Sequence, residues 1–267
     1  MKTVVSSLFR KTSSFLGALC KPVALSSRGT CPICKNHVRF VADDPWLRDH
    51  FICPNCRSIP RERALMAVID RLFPNWPSLS IHESSPGGRG ASVRIASEAN
   101  SYIPSQFFPD ESSGSVIRGY RNENLESLSF DDASLDLHIT QDVMEHVFDA
   151  SQVFREIART LRPGGAHVFT VPIVLEGQSS RRRAERLPDG SINHLLPAQY
   201  HGNPVNDMGS LVTIDWGDDI CQVIAHASGM STEVYVIDDL SRGIRAKYIE
   251  VFVSRKPIDP APAIIHE

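Results

Sequence analysis

Four of the six cysteines in this 267-residue chain fall as Cys31-Pro32-Ile33-Cys34 and Cys53-Pro54-Asn55-Cys56, with eighteen residues between the pairs. Paired C-x2-C steps at this separation bring four thiolates around one tetrahedral ion, the pattern of a structural zinc ribbon. Disulfides ask for an oxidising compartment, and a thioredoxin-like centre asks for one C-x-x-C at a strand-to-helix junction, so both explain the pattern less well. With Cys31, Cys34, Cys53 and Cys56 all acting as ligands, no position remains for water or substrate, and the expected Zn2+ is structural. Cys20 and Cys221 stand outside this scheme; Cys221 falls on the apolar face of an expected helix and reads as a core residue.

A second group, Gln141, Asp142, Glu145 and His146, packs an amide, two carboxylates and an imidazole into six residues. A histidine placed there can take a proton from an oxygen or amine. His201, within the run NHLLPAQYHGNP at 193–204, is the other candidate base. Each has a structural alternative, which for His146 is a hydrogen bond to the loop backbone.

The elements that must position the second group follow from the apolar pattern. Residues 134–140 (SLDLHIT) alternate as a short buried strand, and 150–161 carry Val153, Phe154, Ile157 and Leu161 on one helical face. Pro163-Gly164-Gly165 cannot continue that helix, and glycine there accepts the left-handed conformation that closes it. Residues 168–171 (VFTV) read as the next strand. A strand, helix, strand unit of this length predicts parallel strands, and ligands in such sheets bind outside the strands' carboxyl ends, where the 141–146 group lies.

The loop Asp142-Val143-Met144-Glu145-His146-Val147 followed by Leu161-Arg162-Pro163-Gly164-Gly165 resembles the second half of a class I S-adenosylmethionine-dependent methyltransferase. The resemblance covers roughly residues 79–255 and points to a bacterial, type 11-like subgroup bearing an N-terminal four-cysteine ribbon. It implies an α/β fold: a doubly wound, Rossmann-like sheet, mostly parallel with an antiparallel terminal strand, plus a small zinc-ribbon module. It also implies S-adenosyl-L-methionine as cofactor and an oxygen or nitrogen acceptor, such as a surface glycan or another small molecule.

The family's acid and glycine-rich loop map onto 79–83 (LSIHE) and the following Ser84-Ser85-Pro86-Gly87-Gly88-Arg89-Gly90. Glu83 matches the acid and Gly87 the second glycine; Ser85 replaces the first glycine and Arg89 the third. Serine is small enough for close approach, while Pro86 stiffens the turn. A plain Gly/Ser surface turn is the alternative. The region expected to hold the ribose, 101–107 (SYIPSQF), offers only the neutral Ser105 and Gln106. Asn124 and Leu125 match the segment that reads and packs the adenine, with a polar loop before Asp131-Asp132 as the alternative. Cofactor contacts are thus expected from Glu83, Ser85, Gly87, Asn124, Leu125 and Gln141, and catalysis from His146 and His201.

The chain as a whole is 42% hydrophobic and 22% charged, enough for one full core and a small module. It has no apolar run of eighteen residues, so a membrane span is not expected, and a cytoplasmic location follows from the same composition. Residues 1–27 read as a flexible basic extension, 28–60 as the ribbon, 61–77 as a docking helix and 78–256 as the methyltransferase domain, with a flexible tail at 257–267. Seven basic residues against four acids fall between 28 and 63, and the Arg57–Arg63 charges read as a solvated rim. An insertion at 174–213 is expected to be a lid over the acceptor, with Arg181, Arg182 and Arg183 suited to an anion or simply solvated. After it, strands at 234–238 and 248–255 should close the sheet. Two other function classes remain open. An RNA methyltransferase would also join a zinc module to this fold, although its knuckles usually mix Cys with His and the net charge of −3 opposes an RNA partner. A non-catalytic, degenerate binding module would explain Ser85, Arg89 and the missing ribose acid.

Overall fold

The structure, a computed structural model, describes residues 24–202 and 209–258. Most of the expected basic extension with Cys20, the lid residues 203–208 and the tail from 259 lie outside the described residues. Seven strands form the body of one sheet: β1 (Ser80–Ser84), β2 (Ser101–Gln106), β3 (Tyr120–Asn122), β4 (Leu135–Gln141), β5 (Leu161–Thr170), β6 (Ser231–Tyr235) and β7 (Val251–Arg255). Their order is β6-β7-β5-β4-β1-β2-β3, with Val116–Ile117 added at the far edge. The pairs β1–β2, β1–β4, β2–β3 and β4–β5 are parallel, whereas β7 runs antiparallel to both neighbours. The doubly wound, mostly parallel sheet with an antiparallel terminal strand is therefore the fold of the chain.

Alternation along the strands makes two cores. Leu137 and Ile139 of β4, Ala166 and Val168 of β5, and Val251 and Val253 of β7 face one side. There they meet helices α1 (Pro60–Leu72) and α2 (Gly90–Glu98). Phe169 and Phe252 face the other side and pack on α3 (Ala150–Thr160) and α4 (Ile220–Ser228). The α3 helix starts where Asp149 accepts a hydrogen bond from the Gln152 N–H (2.9 Å) and buries Val153, Phe154 and Ile157, the apolar face read from sequence. It is not closed by glycine: Leu161 leaves it in extended conformation, and the left-handed residue is Gly164, three positions later. The last two strands also start elsewhere than expected, β6 three residues earlier and β7 three residues later.

One row of side chains crosses the middle of the sheet. His82, His138 and His167 are register partners on β1, β4 and β5 and are fully buried. His82 and His138 share an Nδ1–Nδ1 contact of 2.8 Å, while Ser105, Thr160 and Thr140 hydroxyls meet the other ring nitrogens. Burial holds all three well below the usual histidine value, His82 and His167 at about 3.

The N-terminal hairpin pairs Leu25–Thr30 with His37–Ala42, so its first strand begins inside the span expected to be a flexible extension. The ribbon is not an appendage. Cys31, Ile33, Phe40, Phe51 and Cys53 belong to the same apolar cluster as α1 and the sheet. Arg63 lies fully buried beneath it, which corrects the solvated-rim reading at that residue, whereas Arg57 is exposed. After β5 the insertion builds short ladders: Ala184–Arg186 with Ile192–His194, and Tyr200–His201 with Ser210–Leu211. The strand that follows it, Ile214–Gly217, is anchored by buried Trp216, whose Nε1 donates to the Met144 carbonyl (3.1 Å). Among the described residues no helix is long and apolar enough to cross a membrane.

Candidate active site

A cavity of about 1080 Å³ opens at the carboxyl ends of the parallel strands. Its floor is the loop after β1, with Ser85, Gly87 and Gly88; Gln106 ends β2, and Asn124 and Leu125 follow β3. Gln141, Asp142 and His146 come from the end of β4, while His201 and Leu211 come from the insertion. Trp46, Arg48, Asp49 and Arg61, from the ribbon and α1, supply a wall that the sequence pattern did not indicate.

The turn after β1 explains part of its own sequence. Ser85 sits at φ 53°, its N–H donating to Ser105 O (2.8 Å) and its hydroxyl to Gln106 Oε1 (3.1 Å). Gly90 opens α2 at φ +63° with its α-carbon against the Glu62 carboxylate, so a side chain there is doubly excluded. Gly87 and Gly88 are different. Neither needs glycine's backbone freedom, and a Cβ would meet nothing nearer than 3.9 Å at Gly87 and nothing within 4 Å at Gly88. A side chain at either position would project into open space beside the cavity, the room a ligand's close approach requires. The cradle therefore fits S-adenosylmethionine.

Seven of the eight cofactor and catalytic candidates line this cavity; Glu83 does not. Its carboxylate is fully buried one layer below and accepts from Ser92 Oγ (2.6 Å), Tyr102 Oη (2.8 Å) and Gln141 Nε2 (2.8 Å). Burial pushes its carboxyl up despite these donors. Glu83 thus braces the loop through Ser92, which also accepts from the Gly87 N–H (3.0 Å), and it orients Gln141. Asn124 lines the cavity and spends its side-chain oxygen on the Glu126 N–H (3.0 Å). Ser105 is turned toward His82, so of the two neutral candidates only Gln106 reaches the cavity.

The opposite edge is charged. Asp142, at φ 53°, takes a 2.6 Å hydrogen bond from Arg48 and one of 3.0 Å from Thr170. Arg61 Nε lies 2.9 Å from the same carboxylate as an ion pair without an aligned hydrogen bond. Burial alone would push the Asp142 carboxyl up; Arg61 and Arg48 overcome it and hold the group below the usual carboxylate range. His146 and His201 meet edge to face at 5.2 Å, above the buried Glu145. Two arginines of the insertion turn elsewhere: Arg181 (3.0 Å) and Arg183 (2.8 Å) both bind Asp215, and it is Arg186 that borders the cavity.

The cysteines converge as two matching knuckles. Lys35 N–H donates to Cys31 O and Arg57 N–H to Cys53 O (2.9 Å each), with Lys35 and Arg57 both at φ 61°. The sulfurs of Cys31 and Cys56 are 3.7 Å apart and those of Cys34 and Cys53 3.9 Å. A tetrahedron with Zn–S bonds of about 2.3 Å has edges of about 3.8 Å, so the donor set fits a zinc ion. The fully buried Arg63 donates to Phe51 O and Gly243 O (2.6 Å each) and lies over the Phe40 ring. Burial lowers it to about 10 while the neighbouring cysteines oppose that shift, as the excess negative charge of a four-thiolate ion would.

A family profile described as Methyltransferase domain, type 11, matches residues 102–169, the stretch from β2 through β5. A dimethylglycine N-methyltransferase of Parasynechococcus marenigrum is 41% identical over 54 residues, 20% of this chain and 19% of the relative. The matched stretch spans only about a fifth of the length of the curated relatives. A crystal structure of an S-adenosylmethionine-dependent methyltransferase from Mesorhizobium loti aligns over 72% of this chain and 98% of its own, with a TM-score of 0.47 and 16% identity. The 1,6-didemethyltoxoflavin-N1-methyltransferase of Burkholderia thailandensis aligns over 74% and 78%, with a TM-score of 0.44 and 11% identity. Residues 102–169 thus carry a methyltransferase domain, and the strand order and the loops that end β1 and β4 are those that the class I S-adenosylmethionine-dependent resemblance leads one to expect.

Proposed function

We infer that the protein transfers a methyl group from S-adenosylmethionine to an oxygen or nitrogen of a small polar acceptor, a glycan among the candidates. The observation that carries this reading is the cradle at Gly87 and Gly88, glycines that the protein's own packing does not require, beside one cavity with a neutral side and a charged side. The cofactor supplies an electrophilic methyl on a sulfonium, so the protein has mainly to align, desolvate and manage one proton. Ser85, Gly87, Gln106, Asn124, Leu125 and Gln141 hold the cofactor side, with Glu83 bracing from below. Arg48, Asp49, Arg61 and Arg186 give the acceptor side its polarity. The cofactor held there would supply its methyl to the acceptor's lone pair, and the charged side would hold that acceptor in line with it. The acceptor proton leaves at the His146–His201 edge. Cys31, Cys34, Cys53 and Cys56 hold one structural zinc, which keeps the Arg48 and Arg61 wall in place.

Calorimetry with S-adenosylmethionine on the full chain tests the reading. Saturable binding and a raised melting temperature are expected for the wild type. Gly87→Val should abolish both while the far-ultraviolet spectrum stays unchanged. Silent calorimetry with an unmoved melting temperature in the wild type would instead make the chain a methyltransferase-like module that has lost its cofactor.

A further inference from the structure

We propose that Glu145, His146 and His201 form a second metal centre, which takes a divalent transition ion at the acceptor edge of the cavity. The starting observation is an anomaly. The Glu145 side chain is 2% exposed, yet neither of its carboxylate oxygens has a hydrogen-bond partner among the described residues. A buried carboxylate left without a partner is strongly unfavourable, and such groups are paired or coordinate metals. Arg48 is a nearby cation, but its guanidinium is bonded to Asp142 and to the Tyr248 carbonyl. What faces Glu145 is a pair of imidazoles: His146 Nε2 and His201 Nδ1 each lie 3.8 Å from Oε1.

The tautomer of His146 sharpens the point. Its Nδ1 is 2.8 Å from the Leu211 carbonyl, and a carbonyl only accepts, so Nδ1 carries the hydrogen. In the neutral ring, Nε2 then turns a lone pair toward a bare carboxylate. A cation between them removes the conflict, and a ring whose second nitrogen donates to a backbone carbonyl is the usual support of a metal-bound histidine. The backbone is built to hold this group together. The Glu145 carbonyl accepts from Thr213 N–H (2.8 Å) and Oγ1 (3.1 Å), and His201 is the ladder partner of Ser210.

The candidate ligand atoms all lie within 4.8 Å of one another. A tetrahedral ion about 2.1 Å from each ligand needs edges of about 3.4 Å, so side-chain shifts of up to roughly 0.7 Å close the site. Two imidazoles and one carboxylate suit Zn2+, Mn2+ or Fe2+, and His146 and His201 both border the cavity, which leaves the remaining coordination positions toward the acceptor. An ion there would bind an acceptor oxygen and lower its pKa, giving the histidines a coordinating role in place of a free-base role. The centre does not depend on the cofactor reading, since metal binding is measured directly.

The probe is Mn2+, a hard ion that four thiolates do not retain, followed by electron paramagnetic resonance on the full chain, with zinc content measured in parallel. One saturable Mn2+ site is expected in the wild type. Glu145→Gln and His201→Ala should each weaken it at least tenfold while keeping the one cysteine-bound zinc, which serves as the internal check that the fold survives. A wild type that binds no Mn2+ and holds a single zinc would overturn the proposal. So would variants that bind Mn2+ as the wild type does.

Discussion

The cysteine cluster and the Glu145 cluster are built in opposite ways. The first comes from two knuckles of four residues whose turns repeat each other bond for bond, so each cysteine pair is set by its own backbone. The second joins adjacent residues on one loop to a residue from the insertion, and it exists only when the Tyr200–His201 and Ser210–Leu211 ladder lies over the end of β4. A site of the first kind is written in spacing and is rigid. A site of the second kind is written in tertiary contacts, and its rigidity is borrowed.

The strongest way to break the comparison is Cys34→Ser. Structural zinc contributes on the order of 10 kcal/mol of apparent binding energy in small modules, so metal analysis should find the ion lost and melting should begin far below the wild-type temperature. Because the ribbon shares a core with α1, the damage should reach the Arg48–Asp142 pair and the cavity with it. Zinc-free protein with unchanged melting would show that the ribbon is an independent ornament. Arg63→Met comes next: it leaves the thiolate charge uncompensated, and chemical denaturation should report a loss of about 3 kcal/mol with zinc still bound.

Acid probes the histidine row inside the sheet. His82 and His167 are held at about 3 and His138 well below its ordinary value, with burial as the largest cause. Unfolded histidines titrate near 6.5, so from there down to about 3 the unfolded chain binds more protons than the folded one. Stability should be complete above pH 6.5 and fall as pH drops through that window, by roughly 1.4 kcal/mol per pH unit for each histidine that stays neutral. Urea denaturation at pH 7 and pH 5 measures this, and a His167→Asn variant should show a shallower slope. The smallest effect is expected at Arg181, whose side chain is 55% exposed. Arg181→Ala should change stability by less than about 1 kcal/mol and cofactor affinity by less than about threefold, because Arg183 keeps the ion pair with Asp215.

The contrast also explains what the sequence discloses. The 134–171 stretch was legible because strand alternation, a helical face and a proline-glycine break follow one another within reach of local physics. The cysteine pairs were legible for the same reason. Arg48 and Arg61 carried no such signal, since nothing local says that a ribbon residue pairs with a carboxylate 94 positions away. The partnership of Glu145 with His201 was hidden likewise. Both histidines stood out by type, but the carboxylate between them became visible only through its missing hydrogen bonds. The insertion's two- and three-residue strands are too short to show any period. Glu83 was found by its place after a strand, but only the packing distinguishes a brace from a ligand contact.

The shared core of ribbon and sheet has a consequence for the order in which this protein comes into being. Ser27 donates to Leu240 O (2.7 Å), Arg63 to Gly243 O, and a methyl group on Gly29 would collide with the Ser241 carbonyl. The part of the chain made early is thus completed by a turn made late. The four cysteines are complete once residue 56 has left the ribosome, but the turn that covers the ribbon's apolar side follows Arg63 by 180 residues. At about 5–20 residues per second, that side waits on the order of ten to forty seconds with Ile33, Phe40 and Phe51 uncovered. During translation this segment keeps its apolar side exposed until the 240–243 turn emerges to cover it.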